Sequence, residues 1–242
     1  MTKSNCIMTC EINMAEYARL FSYEALNDTT CAVTGYVGAE TASLLIPSED
    51  PEGRTVVAIG DRAFAGRAHL RAVTLPDSVE TIGRRAFAFC AGLLDIRVSP
   101  ESRLSAIGDR AFMGCERLTV LRFGRLTELT VMGRSAFAYC ARLRSVVLPE
   151  GMTELAPSLF DGCSALEHIH LPETLTAIRT AAFSACKSLR VLTLPASLRV
   201  IEDCAFAWCG SLTDLRLPES PCVISGSAFM ECYALADVLK VG

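Results

Sequence analysis

The chain has 242 residues, 51% hydrophobic and 21% charged, with a net charge of −4. It is too apolar for a disordered chain and not basic enough overall to hold nucleic acid by charge. Its 12 Cys fall below the density, more than roughly 8%, that marks a small disulfide scaffold.

Polar residues at Asn5, Thr9, Glu11, Asn13 and Glu16 interrupt the first twenty positions, which do not read as a signal peptide. A short helix is expected near residues 14–20. No segment reaches the ~18 apolar residues of a membrane span, so no membrane insertion is expected. As written the chain is expected to stay in the cytoplasm; the alternative is a secreted or cell-surface protein whose leader is not part of this sequence. In residues 21–58, Phe21-Ser22-Tyr23 and Ala32–Tyr36 flank the turn signal Asn27-Asp28 and predict a hairpin. Leu44-Leu45-Ile46-Pro47 imitates a strand ended by proline. Residues 1–58 are therefore read as a lead-in that caps the rest of the chain.

From residue 59 one pattern repeats. Phe64, Phe87, Phe112, Phe137, Phe160, Phe183, Phe206 and Phe229 are separated by 23 or 25 residues, and all but Phe160 follow Ala. Five residues before each stands Ile, Met or Leu, as in Ile82 and Met132. Leu falls six after it, and Val, Ile or Leu nine after it. Val73-Thr74-Leu75 alternates as a half-buried strand should, and Pro76, which has no N–H for a ladder, ends it. A period of this length means a solenoid in which each coil covers the next.

The unit L-x-x-[VIL]-x-L-P-x-x-[LV]-x-x-I-G-x-x-A-F-x-x-C resembles the BspA-like leucine-rich repeats of bacterial surface antigens. The resemblance covers residues 59–242 and, less closely, 21–58. It implies an α/β repeat solenoid, mostly strand and turn: a right-handed coil of eight stacked repeats with one parallel sheet. Two repeats are two residues longer than the rest, through Ser99–Ser105 and Gly124–Val131, where loops are expected to bulge.

Cys90, Cys115, Cys140, Cys163, Cys186, Cys209 and Cys232 stand three after the repeat Phe. In register at ~4.8 Å their side chains point in parallel. That suits neither a disulfide torsion of ~90° nor a tetrahedral zinc shell, so the column reads as small buried hydrophobes. Arg67 breaks it with no compensating change visible in the sequence. So many thiols fit a reducing compartment best.

No phosphate-loop, nucleophile-elbow or zinc-protease motif occurs, so no catalytic residue, metal site or cofactor is expected. His168 and His170 flank Ile169 on one strand and should both face outward beside a buried Ile169. Phe89, Tyr139 and Trp208 share the position two after the repeat Phe and are read as closing gaps between coils rather than as an exposed stripe. Residues 59–145 hold fourteen Arg against eight acidic residues, while both flanks are acidic. No aromatic platform interleaves with these Arg, so nucleic acid is not expected. The exposed strand positions vary from coil to coil, as a surface for protein recognition does. The expected function is a non-enzymatic scaffold binding a protein or cell-surface ligand through Asp95, Arg97, Arg122, His168, His170, Asp214 and Arg216. The alternative is a structural module or fragment of a larger surface protein.

Overall fold

The computed structural model describes residues 13–235. The expected final strand, with Asp237, Val238 and Leu239, lies outside the described residues, as do Cys6 and Cys10. The helix α1 (Met14–Ala18) is shorter than the sequence suggests; Asn13 caps it by accepting from the Ala15 and Glu16 N–H groups. β1 (Phe21–Ala25) and β2 (Thr30–Tyr36) form the antiparallel hairpin. Its turn is fixed by Asn27 Oδ1, which accepts from the Thr29 and Thr30 N–H groups at 2.9 Å.

Short strands then alternate along the chain. They are β3 (Ser43–Leu45), β4 (Thr55–Ile59), β5 (Ala72–Thr74), β6 (Thr81–Ile82), β7 (Asp95–Arg97), β8 (Ala106–Ile107), β9 (Val120–Arg122), β10 (Val131–Met132) and β11 (Ser145–Val147). The alternation continues with β12 (Glu154–Leu155), β13 (His168–His170), β14 (Ala177–Ile178), β15 (Val191–Thr193), β16 (Val200–Ile201), β17 (Asp214–Arg216) and β18 (Val223–Ile224).

The single parallel sheet of the sequence reading is thus joined by a second. The three-residue strands form one side, in the groups β3-β5-β7, β9-β11-β13 and β15-β17. The two-residue strands and the longer β4 form another, as β4-β6-β8-β10 and then β12-β14-β16-β18, with the hairpin continuing the first group through β2. The reason is general. When near-identical coils stack in register, any extended residue meets its counterpart one coil away, and its N–H and C=O must be satisfied somewhere. The turn around each Phe obeys the same rule and makes a third ladder. Arg62, Phe64 and Gly66 donate their N–H groups to the carbonyls of Arg84, Ala86 and Ala88, at 2.9, 2.8 and 2.8 Å.

Inside runs the phenylalanine column. Phe64 through Phe206 are each no more than 1% exposed. Their rings stack at centroid steps of 5.1 to 5.3 Å, except at Phe137–Phe160 (6.0 Å) and Phe160–Phe183 (5.7 Å). Phe21 and Tyr36 of the hairpin meet edge to face at 4.9 Å, and Phe21 reaches Phe64 at 6.5 Å, which closes the column at its first end.

Candidate functional site

The outward side of the three-residue strands is the face the sequence singled out. Asp95, Arg97, Arg122, His168, His170 and Arg216 are exposed there and Asp214 is half-buried. The face is not one continuous surface. Its ladder is interrupted between β7 and β9 and between β13 and β15, and a shallow cleft opens at each interruption. The first, of about 470 Å³, holds Asp95, Arg97 and Arg122 together with Val98, Val120 and Phe123. The second, of about 530 Å³, holds His168 and His170 with Val147, Glu173, Val191 and Thr193. Asp214 and Arg216 line neither and form their own loose pair at 3.8 Å. Arg97 and Asp95 pair more tightly, at 2.7 Å.

Ile96 and Ile169, which the alternation placed in the core, are half-buried. Each stands on a strand with no ladder partner on one side, so the coil that would cover it is set back.

Two residues of this face escape sequence inspection. Glu150 Oε1 lies 3.3 Å from His170 Nε2, and Glu150 Oε2 accepts the Glu173 N–H at 3.2 Å. Arg125 joins Arg122, Val147, Glu150 and His170 around a third hollow of about 610 Å³. That hollow opens at Gly124, which stands where five other coils carry proline; a Cβ there would come within 2.7 Å of Val147 Cγ1. The missing proline was the only signal in the sequence. Among the described residues no three His, Cys, Asp or Glu side chains gather as a metal site would require.

The cysteines are buried donors. Every thiol from Cys90 to Cys232 in the column reaches the carbonyl of the repeat Phe in the preceding coil, at 2.9 to 3.4 Å. All are free. Burial pushes Cys90 up to about 11 and Cys140 up to about 12, so these thiols stay protonated and unreactive. Arg67, where the column breaks, does have its compensation. Its guanidinium donates to the Tyr36 carbonyl of the cap and sits 5.4 Å from the centre of the Tyr36 ring. The column's shared role is donation to the coil below, and at the first coil a longer side chain reaches the hairpin instead.

Phe89, Tyr139 and Trp208 correct the expectation made for them. Each is more than half exposed, at 56%, 55% and 51%. They lie along the third side of the coil, beside the Phe turns.

Among the described residues no helix is long and apolar enough to cross a membrane. No curated protein matches the chain. Among solved structures, a leucine-rich cell surface protein of Faecalibacterium prausnitzii A2-165 is 31% identical, with a TM-score of 0.72. The match covers 81% of this chain and 52% of that one, so the chain spans about half of that relative's length. The leucine-rich repeat protein of T. pallidum is 30% identical over 92% of this chain and 91% of its own, with a TM-score of 0.69. A leucine-rich repeat protein from Eubacterium ventriosum, 20% identical with a TM-score of 0.61 over 87% of this chain and 50% of that one, shares the fold. The BspA type leucine rich repeat region matches residues 51–167 and 130–239, in six copies. The repeat profile and the two relatives agree with the stacked coils described above: the chain belongs to the BspA-type leucine-rich repeat family.

Proposed function

We propose that the chain is a non-catalytic binding module that captures a protein ligand on the outward side of its three-residue strands. The observation that carries this reading is the composition of that side. Exposed Val120, Val147 and Val191 are interspersed with charged or polar groups at Arg97, Arg122, His168, His170 and Arg216: Val147 lies between Arg122 and His170 in one outward column, and Val120 and Val191 stand in the other, with His168 and Asp214. Such a mixture of exposed apolar and charged groups is what non-obligate protein interfaces present. The clefts are shallow, and where Ser145 and Thr193 share one with His168 and His170 no hydrogen bond joins hydroxyl to imidazole as an activated nucleophile needs. Replacing Arg97, Arg122, His170 and Arg216 together by alanine removes exposed groups only, so the variant should fold with an unchanged unfolding midpoint and capture its partner at least about tenfold more weakly, a loss of about 1.4 kcal/mol. Equal capture by native and variant protein in side-by-side affinity purification would reject this side as the binding side.

A second reading, a structural module of a larger surface protein, is supported by the cell-surface relative, of which this chain spans 52%. The many thiols do not oppose surface display, because the seven of the column are buried and hydrogen-bonded. Protease treatment of intact cells separates the compartments: loss of the protein from treated but not from untreated cells supports display, and full protection supports the cytoplasm.

A further inference from the structure

The column two residues after each repeat Phe reads Gly66, Phe89, Gly114, Tyr139, Gly162, Ala185, Trp208, Glu231, and every member has a positive φ, from 56° to 76°. Glycine suits that backbone and bulky side chains rarely adopt it. Three of the eight positions nevertheless carry large aromatics, and they do so on the outside of the molecule. Two of the rings lie across the glycine of the following coil. A Cβ on Gly114 would come within 2.7 Å of Phe89 Cδ1, and one on Gly162 within 2.6 Å of Tyr139 Cδ1. Aromatic and glycine alternate there, so each of these rings rests on bare backbone with more than half of its surface in solvent. None of the three stacks on another; the stacked pairs are those of the inner Phe column. The rings are therefore separate platforms on one edge. Phe89 and Tyr139 stand two coil steps apart, the steps being 5.2 and 5.3 Å in the neighbouring inner column.

At Trp208 the edge deepens into a cleft of about 560 Å³. Trp208 and Tyr233 line it, with Lys187, Ser211 and Glu231 among the polar lining groups. Tyr233 is 72% exposed. Lys187 and Glu231 have no ion-pair partner among the described residues. The cleft thus offers flat apolar faces, one cation, one carboxylate and a hydroxyl.

We propose that this edge is a glycan-binding site for a neutral, extended sugar chain, with the Trp208–Tyr233 cleft as its principal subsite. A pyranose ring presents an apolar C–H face that packs on an aromatic ring, and hydroxyls at its rim that both donate and accept. The cleft matches both properties: rings for the faces, Lys187 to donate, Glu231 to accept, Ser211 for either. Its opposite charges balance, which gives a polyanion no Coulombic advantage there and lacks the cationic track that single-stranded nucleic acid requires. Further platforms at Tyr139 and Phe89 recur along the edge as rings recur along a sugar chain. This site lies on a different side from the strand face of the proposed protein-binding function and stands without it.

Trp208 is the only tryptophan in the chain, so its fluorescence reports this site alone. Native protein is titrated with neutral hexasaccharides of β-1,4-glucose, β-1,3-glucose, β-1,4-xylose, β-1,4-mannose and N-acetylglucosamine, with polygalacturonate as the anionic control. At least one neutral sugar is expected to shift Trp208 emission and shield it from acrylamide. Tyr233→Ala, and separately Lys187→Ala, should weaken that response by about tenfold. Failure of every neutral sugar to change emission or quenching overturns the proposal. So does a response equal in native protein and both variants, or one given only by polygalacturonate and abolished by salt. Shielding of Trp208 by a protein ligand, with no sugar effective, would reassign the edge to protein docking.

Discussion

In the coils carrying Phe64, Phe87, Phe112 and Phe137, the position four before the phenylalanine is glycine: Gly60, Gly83, Gly108 and Gly133. In the coils carrying Phe160, Phe183, Phe206 and Phe229 it is Ala156, Arg179, Glu202 and Ser225. The first set stacks backbone on backbone. A Cβ on Gly108 would lie 2.9 Å from Arg84 N and from the Gly83 carbonyl carbon, and one on Gly133 would lie 2.6 Å from Asp109 N. The N–H groups of Gly83, Gly108 and Gly133 reach the coil below at 2.7 Å, whereas those of Arg179, Glu202 and Ser225 do so at 2.9 to 3.0 Å. The second set uses side chains in place of close approach. Arg179 bridges Glu154 below and Glu202 above, at 2.6 and 2.8 Å.

The two regimes meet at one coil. Ala156 brings the first Cβ into the column, Pro157 follows without an N–H, and Leu159 replaces the usual alanine. There the ladder breaks between β10 and β12, and the Phe step widens to 6.0 Å. The coil carrying Ala156, Pro157 and Leu159 thus marks the boundary between two ways of stacking the same repeat.

Substitutions can break or sharpen this contrast. Phe183→Ala, which empties a fully buried site in the core shared by both halves, should cost about 3–5 kcal/mol and loosen the neighbouring coils; urea unfolding measures it, and a loss below ~1 kcal/mol would mean the column is not core. Gly108→Ala forces a methyl group against main-chain atoms and should cost about 1–3 kcal/mol. The reverse change at Ala156→Gly should stay within about 1 kcal/mol; equal effects in the two halves would erase the distinction. The thiols act in both halves. Burial raises the folded pKa values of Cys90, Cys115, Cys140, Cys163 and Cys186 above the ordinary 9.0, so above pH 9 the unfolded chain loses protons that the folded chain keeps. Stability should therefore be fully present below about pH 9 and fall as pH rises towards 11 to 12, with a shallower fall in Cys140→Ala. The smallest effect belongs to Arg179→Ala. Its pairs are partly exposed, so the loss should be below about 1 kcal/mol and fade in high salt.

The period, the Phe column and the outward histidines were legible because a repeat writes the same burial pattern many times over. What stayed hidden required the distance between coils. Glu150 and His170 are 20 residues apart, and only the stacking brings them together. The partner of Arg67 lies in the hairpin, outside the repeat, so no comparison of repeats reveals it. The second ladder was missed because two extended residues such as Thr81-Ile82 are too few to show a period of two. The Gly-to-Ala change at 156 is plain in the sequence, but its meaning depends on how closely Gly83, Gly108 and Gly133 approach the backbone of the coil below. The aromatics at 89, 139 and 208 were assigned to gap filling on residue type; the glycines beside the first two, which leave the rings outside, were the overlooked sign.

The broken ladder at Ala156 also gives the rod a mechanical grain. A full step is held by hydrogen bonds on three sides, loaded together when the two ends are pulled apart along the stack. One row is missing between β7 and β9, between β13 and β15, and at the step from Met132 to Leu155, and at this last step the rings also stand farthest apart. Under tension this is where the stack yields first, separating into two shorter rods, one of them still capped by the hairpin.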